Sequence, residues 1–220
     1  MKNFALIGAA GYIAERHVKA IKDLNCDLKF ITDPSDTVGY IDKYFPKSKY
    51  FKEIERFDRN INRNIGSQNS IDFISICSPN YLHDSHIRLG LRNESNVICE
   101  KPLVLKKDHL MQMLKLEKKY KKKVFPILQL RLHPLIQKLK KEKNSNNKII
   151  NLTYITPRGS WYDYSWKGDF DKSGGILFNI GVHFFDMLIW LFGEPRSFRI
   201  DYSDFKKCKG KIFLDQAEVN

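Results

Sequence analysis

Apolar positions in this chain cluster in short unbroken runs, and the stretches between them carry apolar residues at helical spacing. Residues 3–9 (NFALIGA), 27–33 (DLKFITD), 71–79 (IDFISICSP), 96–102 (NVICEKP) and 123–130 (KVFPILQL) are predicted strands. A helix is expected from the first glycine turn to about Leu24, a short one over 86–93, and a lysine-rich one over 107–123. Strands that are apolar throughout and alternate with helices predict a parallel sheet covered on both faces. The polar region 36–69 has too weak a pattern to be ordered this way.

After Leu130 the pattern changes. A short helix (134–143), a polar connector (143–148) and an alternating strand (148–156) are predicted in turn. A long aromatic loop follows (158–175), then an apolar helix (176–192) and two strands, 198–205 and 211–219. The expected fold class is α/β: an N-terminal Rossmann dinucleotide-binding domain over 1–125, and an incomplete α/β open-sheet domain over 126–220.

The composition is that of a chain with a core, 42% hydrophobic and 13% aromatic. Cys26, Cys77, Cys99 and Cys208 show no CxxC or metal-ligand spacing, so no metal is expected and a reduced, cytoplasmic setting is favoured. Lys2 and the apolar residues after it have the look of a short signal core, but Gly8, Gly11, Glu15 and Arg16 fit a strand, turn and helix better. The 18-residue run 176–193 contains Asn179, His183 and Asp186, which are expensive in lipid. A buried helix and no membrane partner are expected.

The formal charge is +13, and residues 106–148 hold 14 basic against 3 acidic residues. Lys115, Lys118, Lys119 and Lys122 share one helix side, with Leu110, Met113, Leu114 and Tyr120 along much of the other. Tyr120 alone interrupts the lysines of this helix, whereas a stacking platform needs successive aromatic residues. The stretch reads as a solvated face and not a nucleic-acid site.

The chemistry concentrates in three places. The first turn, Gly8-Ala9-Ala10-Gly11-Tyr12-Ile13-Ala14, has GxxGxxA spacing between a strand and a helix. Glycines there let the backbone approach a pyrophosphate, whose charge meets the helix N-terminus. Asp33 ends the next strand, 22 residues after Gly11. A carboxylate there accepts from ribose hydroxyls and repels a 2′-phosphate, so NAD is favoured over NADP; the plainer reading is a turn residue before Pro34. Ser78, Asn80 and His83 follow the third strand at the carboxyl edge, within reach of a cofactor; for Asn80 an Asx-type cap is an equal alternative. His86 has no partner in sequence and is read as surface. Finally, Glu100-Lys101-Pro102 ends an apolar run, and His183 stands in the later apolar helix. Burial lowers a lysine pKa, and a neighbouring imidazole would complete a proton-handling pair. For Lys101 the alternative is a structural ion pair, and for His183 a satisfied core histidine.

With the glycine turn, SPNYLH, CEKP and NIGVHFFD in order, nearly the whole chain resembles the Gfo/Idh/MocA oxidoreductases. That resemblance implies a Rossmann domain binding a nicotinamide cofactor, with Gly8, Gly11, Tyr12, Ile13, Asp33, Ser78, Asn80, His83, Glu100 and Lys101 around it. It implies Lys101, His183 and Asn179 as catalytic and substrate-binding. Arg158, on the polar loop after a strand, has a planar fork that suits a substrate carboxylate or phosphate, with a surface arginine as the near-equal alternative. Asn179 stands where much of the family has aspartate. That departure, the longer glycine turn and the RGSWYDYSWKGD loop resemble the branch that oxidises C3 of UDP-N-acetylglucosaminuronic acid for surface polysaccharides. That branch implies a UDP-sugar substrate, NADH recycling on 2-oxoglutarate, and homo-oligomeric full-length relatives. The alternatives are another sugar or cyclitol dehydrogenase, or a non-catalytic NAD-binding remnant. Family members continue well beyond the position of Asn220, so the resemblance also predicts a fragment of a longer dehydrogenase.

Overall fold

The structure is a computed structural model that describes residues 1–142 and 148–220. The predicted connector at 143–147 lies outside the described residues. The chain divides into two compact units, Met1–Ile127 and Leu128–Asn220.

In the first unit six strands form one parallel sheet in the order β3-β2-β1-β4-β5-β6. These are β1 (Asn3–Ile7), β2 (Asp27–Thr32), β3 (Lys49–Phe51), β4 (Phe73–Ile76), β5 (Asn96–Cys99) and β6 (Val124–Pro126). Helices α1 (Ala14–Asp23), α2 (Ile54–Arg63), α3 (His83–Arg92) and α4 (Lys107–Tyr120) connect them. Both sheet faces are buried, one cluster holding Ile7, Phe57, Ile74 and Ile76, the other Leu6, Val18, Leu28 and Ile31. Each such side chain contributes about 1.5–3 kcal/mol by leaving water.

Several predicted boundaries shift. Strand β6 ends at Pro126, and the predicted remainder becomes a 3-10 turn, Gln129–Leu132. On α4 Met113 of the predicted apolar side is buried and Tyr120 packs on the core, while Leu110 and Leu114 are exposed and Leu116 packs on the core in their place.

The second unit builds a four-stranded sheet in the order β7-β10-β9-β8, from β7 (Lys148–Ile150), β8 (Pro195–Ser203), β9 (Cys208–Leu214) and β10 (Ala217–Val219). Its helices are α5 (Pro134–Lys141), two single turns α6 (Trp161–Tyr164) and α7 (Phe170–Ser173), and α8 (Val182–Phe192). Leu188, Leu191 and Phe192 of α8 close a core with Leu214, Ala217 and Val219. The helical run Phe170–Phe192 is apolar and long enough to cross a membrane by length and composition. Buried Asn179 and the Asp186–Arg131 ion pair within and beside it fit a core helix.

Candidate active site

Register positions the first unit's site. Ile7 pairs with Ile76, and Ile76 with Cys99, so the three central strands end at one level. Gly8, Cys77 and Glu100 therefore leave the sheet side by side at its carboxyl edge. The strand order reverses at β1 and β4, and ligands of open α/β sheets bind outside that switch point.

The glycine turn folds directly onto the end of β4. Gly8 has φ +82°, and a Cβ there would lie 2.5 Å from the Ser78 nitrogen and 2.6 Å from the Cys77 carbonyl carbon. Only glycine fits both demands. The Gly8 amide donates to Thr32 O at 3.0 Å and the Gly11 amide to Gly8 O at 3.1 Å. Among the described residues, the amides of Tyr12 and Ile13 have no acceptor. They precede α1, where unsatisfied N–H groups attract a phosphate. Tyr12 itself is 86% exposed. This cradle fits the pyrophosphate of a dinucleotide.

Asp33 sits beside the cradle. Its carboxylate accepts from the Ala10 amide at 3.0 Å and the Ser35 amide at 2.8 Å. A carboxylate has about four lone-pair sites, so two amides leave capacity for ribose hydroxyls. Tyr40, unmarked by any motif, donates from its hydroxyl to Ala9 O at 2.8 Å and braces the turn from outside. Burial, helped by the nearby Cys77, Glu15 and Asp33, pushes its phenol well up.

At the end of β4 the histidines require two corrections. His83 does not present a ring nitrogen to a ligand: it is fully buried, with Nδ1 2.6 Å from Pro102 O and Nε2 2.8 Å from Ser78 O. His86 is not a surface residue; it is half-buried, and its Nδ1 meets Ser78 Oγ at 2.8 Å. Asn80 is buried, and no side chain caps α3, whose N-cap position is Leu82.

Glu100 and Lys101 follow β5, with a cis peptide between Lys101 and Pro102. Glu100 Oε1 accepts from His17 Nε2 at 3.0 Å, and His17 Nδ1 meets Ser75 Oγ at 2.6 Å. Burial would raise the Glu100 carboxyl, but the His17 contact and the amide and charge of Lys101 outweigh it and hold it below its usual range. His17, Ser75 and Tyr40 carried no motif signal. The one sequence hint is that His17 stands three residues after buried Ala14, on the inward side of α1.

In the second unit, Asn179 lies in a π-helical turn, Leu177–Gly181, immediately before α8. Such wide turns are rare and often sit at functional sites. Its Nδ2 donates to Tyr162 Oη at 3.4 Å, and the Arg158 guanidinium lies 4.9 Å from the centre of the same ring. Tyr162 thus brings together two predicted substrate residues. Lys167 lies 5.4 Å from the Trp161 ring and 5.6 Å from Trp166. Burial, then the charge of Arg158, lowers its pKa. His183 stands in the first turn of α8 and is half-buried. Asp186, one turn later, forms a bidentate pair with Arg131, its Oδ2 2.7 Å from Nε, and holds α8 to the segment before α5.

A parallel sheet with a glycine turn opening a helix, and with a carboxylate and a lysine at its carboxyl edge, fits an NAD-binding Rossmann domain. Residues 2–127 match the NAD-binding Rossmann fold of the Gfo/Idh/MocA oxidoreductase family, and residues 148–218 match that family's C-terminal alpha/beta domain. The chain belongs to this family.

Among solved structures it is similar to the WlbA (WbpB) dehydrogenase of Thermus thermophilus, at 40% identity and TM-score 0.92, over 100% of this chain and 72% of that one. That enzyme was solved with NAD and alpha-ketoglutarate, and also with NAD and UDP-GlcNAcA. Among curated relatives, inositol 2-dehydrogenase of Rhizobium meliloti is 26% identical and glucose-6-phosphate 3-dehydrogenase of Bacillus subtilis 24% identical, each over 87% of this chain. The chain spans 55% and 54% of their lengths.

Proposed function

We propose that this chain belongs to an NAD-dependent dehydrogenase that oxidises the C3 hydroxyl of a UDP-sugar, UDP-N-acetylglucosaminuronic acid above others. The observation that carries this reading is the 40% identity to the Thermus enzyme solved with that sugar, over 100% of this chain and 72% of that one, joined to the presence of Lys101, Asn179 and His183 in the CEKP and NIGVHFFD motifs. NAD, when bound, supplies the hydride acceptor.

Oxidising a secondary alcohol also removes a proton from oxygen. Lys101 polarises the hydroxyl and stabilises alkoxide character. His183 accepts the proton, since imidazole titrates near working pH. Asn179 has no charge to relay; it orients the sugar through its amide. Arg158 and Lys167, two cations mounted on aromatic rings, suit the uronate or diphosphate. NADH recycling on 2-oxoglutarate, a cytoplasmic setting and a role in surface-polysaccharide synthesis belong to the same reading.

A second reading, a dehydrogenase for another sugar or cyclitol, is favoured by the similarity to the inositol and glucose-6-phosphate enzymes. The deciding experiment follows reduced nicotinamide by absorbance with UDP-N-acetylglucosaminuronic acid, myo-inositol and sugar phosphates, with and without 2-oxoglutarate. Preference for the UDP-sugar supports the first reading; turnover of myo-inositol or glucose 6-phosphate alone selects the second.

A further inference from the structure

Lys101 has a histidine attached to the residue on each side of it. Before it, the Glu100 carboxylate is held by His17 of α1, whose ring is held in turn by Ser75 of β4. After it, the Pro102 carbonyl faces His83 of α3, which also meets Ser78 O. The two imidazoles come from different helices and reach the same three-residue segment. We infer that His17 and His83 are positioning residues for Lys101, fixing the backbone from which its ammonium reaches the substrate hydroxyl. The inference rests on the role proposed for Lys101.

Chemistry favours the bracket over two plainer readings. Ser75, His17 and Glu100 form the row of a nucleophilic triad, but Ser75 is 1% exposed and cannot meet a substrate. A mere core filler, on the other hand, needs no polar partners, whereas His17 has two. The ionised Glu100 only accepts, so His17 Nε2 carries the hydrogen, and Nδ1 meets the Ser75 hydroxyl, which can donate or accept. With Nε2 on Glu100 and Nδ1 on Ser75, both ring nitrogens are engaged, which fixes the orientation of the ring. The His17 and Glu100 side chains are 11% and 13% exposed, so water competes little for the contact. At His83 a neutral ring donates to one of two carbonyls, and either choice ties α3 to the turn after β4 or to Pro102.

A positioning role differs from a purely structural one in what it moves. Glu100 and Lys101 are electrostatically coupled, so releasing Glu100 from His17 changes the environment of the lysine. The test is acetylation of Lys101 by acetic anhydride in the 220-residue protein, read by peptide mass spectrometry, with NAD affinity and turnover measured beside it. His17→Leu removes the donor, and His17→Gln keeps an amide donor toward Glu100. In His17→Leu the labelling rate of Lys101 should change by ~threefold or more, as a shift of half a pKa unit produces. Turnover should fall ~tenfold or more with the NAD Kd within about twofold, because misplacement acts on the reacting geometry. His17→Gln should restore both.

A folded His17→Leu protein whose Lys101 labels at the unmodified rate overturns the inference. If that variant does not fold, Ser75→Ala decides: altered labelling supports the bracket, and unmodified labelling overturns it. If the unmodified protein oxidises no sugar, the proposed function fails, while the labelling still decides the bracket.

Discussion

The two units spend their apolar residues differently. In the first, the sheet is covered on both faces, and residues such as Ala5, Leu6 and Ile74 are wholly buried. In the second, core packing gathers on α8, β9 and β10, whereas all nine residues of β8 are exposed, Phe198 at 71% and Ile200 at 50%. A sheet packed on two sides holds each strand end in place, and it can sustain a left-handed Gly8 pressed against Ser78. The lesson is that strained or tightly bonded site geometry sits where the framework is over-determined. In the second unit the polar candidates are anchored one by one, Asn179 through Tyr162 and Asp186 through Arg131.

The largest effects should come from the chemistry assigned to each unit. Lys101→Ala and His183→Ala should each lower turnover ~10²–10⁴-fold, the span typical of lost acid–base groups, with NAD affinity retained in His183→Ala. Steady-state kinetics and an NAD titration check this; near-normal turnover removes that residue from the mechanism. Next is the packing contrast itself. Ile74→Ala should cost about 2–5 kcal/mol as a core truncation, whereas Ile200→Ala on exposed β8 should stay within about 0.5 kcal/mol. Equal losses in urea unfolding would erase the difference between the units. Gly8→Ala should destabilise by about 2 kcal/mol or more, from positive φ and a backbone clash together, and should abolish NAD binding. Unchanged stability and affinity would mean that the turn is not tightly fitted.

The smallest effect concerns pH. Burial, then the charge of His83, pushes His86 down to about 4. An unfolded histidine titrates at about 6.5, so the folded state binds fewer protons between those values. The contribution is complete above about pH 6.5 and is lost as pH falls toward 4. For a partly exposed ring this is roughly 1–3 kcal/mol. His86→Gln should flatten that stretch of the stability–pH curve, and an unaltered curve would exclude His86 as its source.

Sequence pattern made the first unit's framework legible because β1, β2, β4 and β5 are apolar on both faces, which no surface element is. It could not order 36–69: α2 buries only Phe57 and Ile61, and β3 has three residues, too few for a period to stand out. The alternation over 148–156 predicted a long strand, but pairing is local to a partner. Ile150 pairs with Val219, Leu152 donates to Asn220 O at 3.0 Å, and from Thr153 onward no neighbouring strand exists among the described residues. At the site, Gly8, Asp33, Glu100 and Lys101 were visible because each ends a recognisable strand. His17 was not, since its partners lie 58 and 83 residues away and spacing along the chain carries no trace of them. The reversed case is His83: its motif position pointed to the cofactor, and its burial gives it to the backbone.

The central claim is that the first unit holds a built NAD site in which Asp33 reads the ribose. A calorimetric titration of the 220-residue protein with NAD and with NADP tests it most directly. The account predicts that NAD binds and that NADP binds at least ~tenfold more weakly, because its 2′-phosphate meets the Asp33 carboxylate; Asp33→Ala should weaken NAD and narrow the gap. Tighter binding of NADP, or no binding of either, would contradict it.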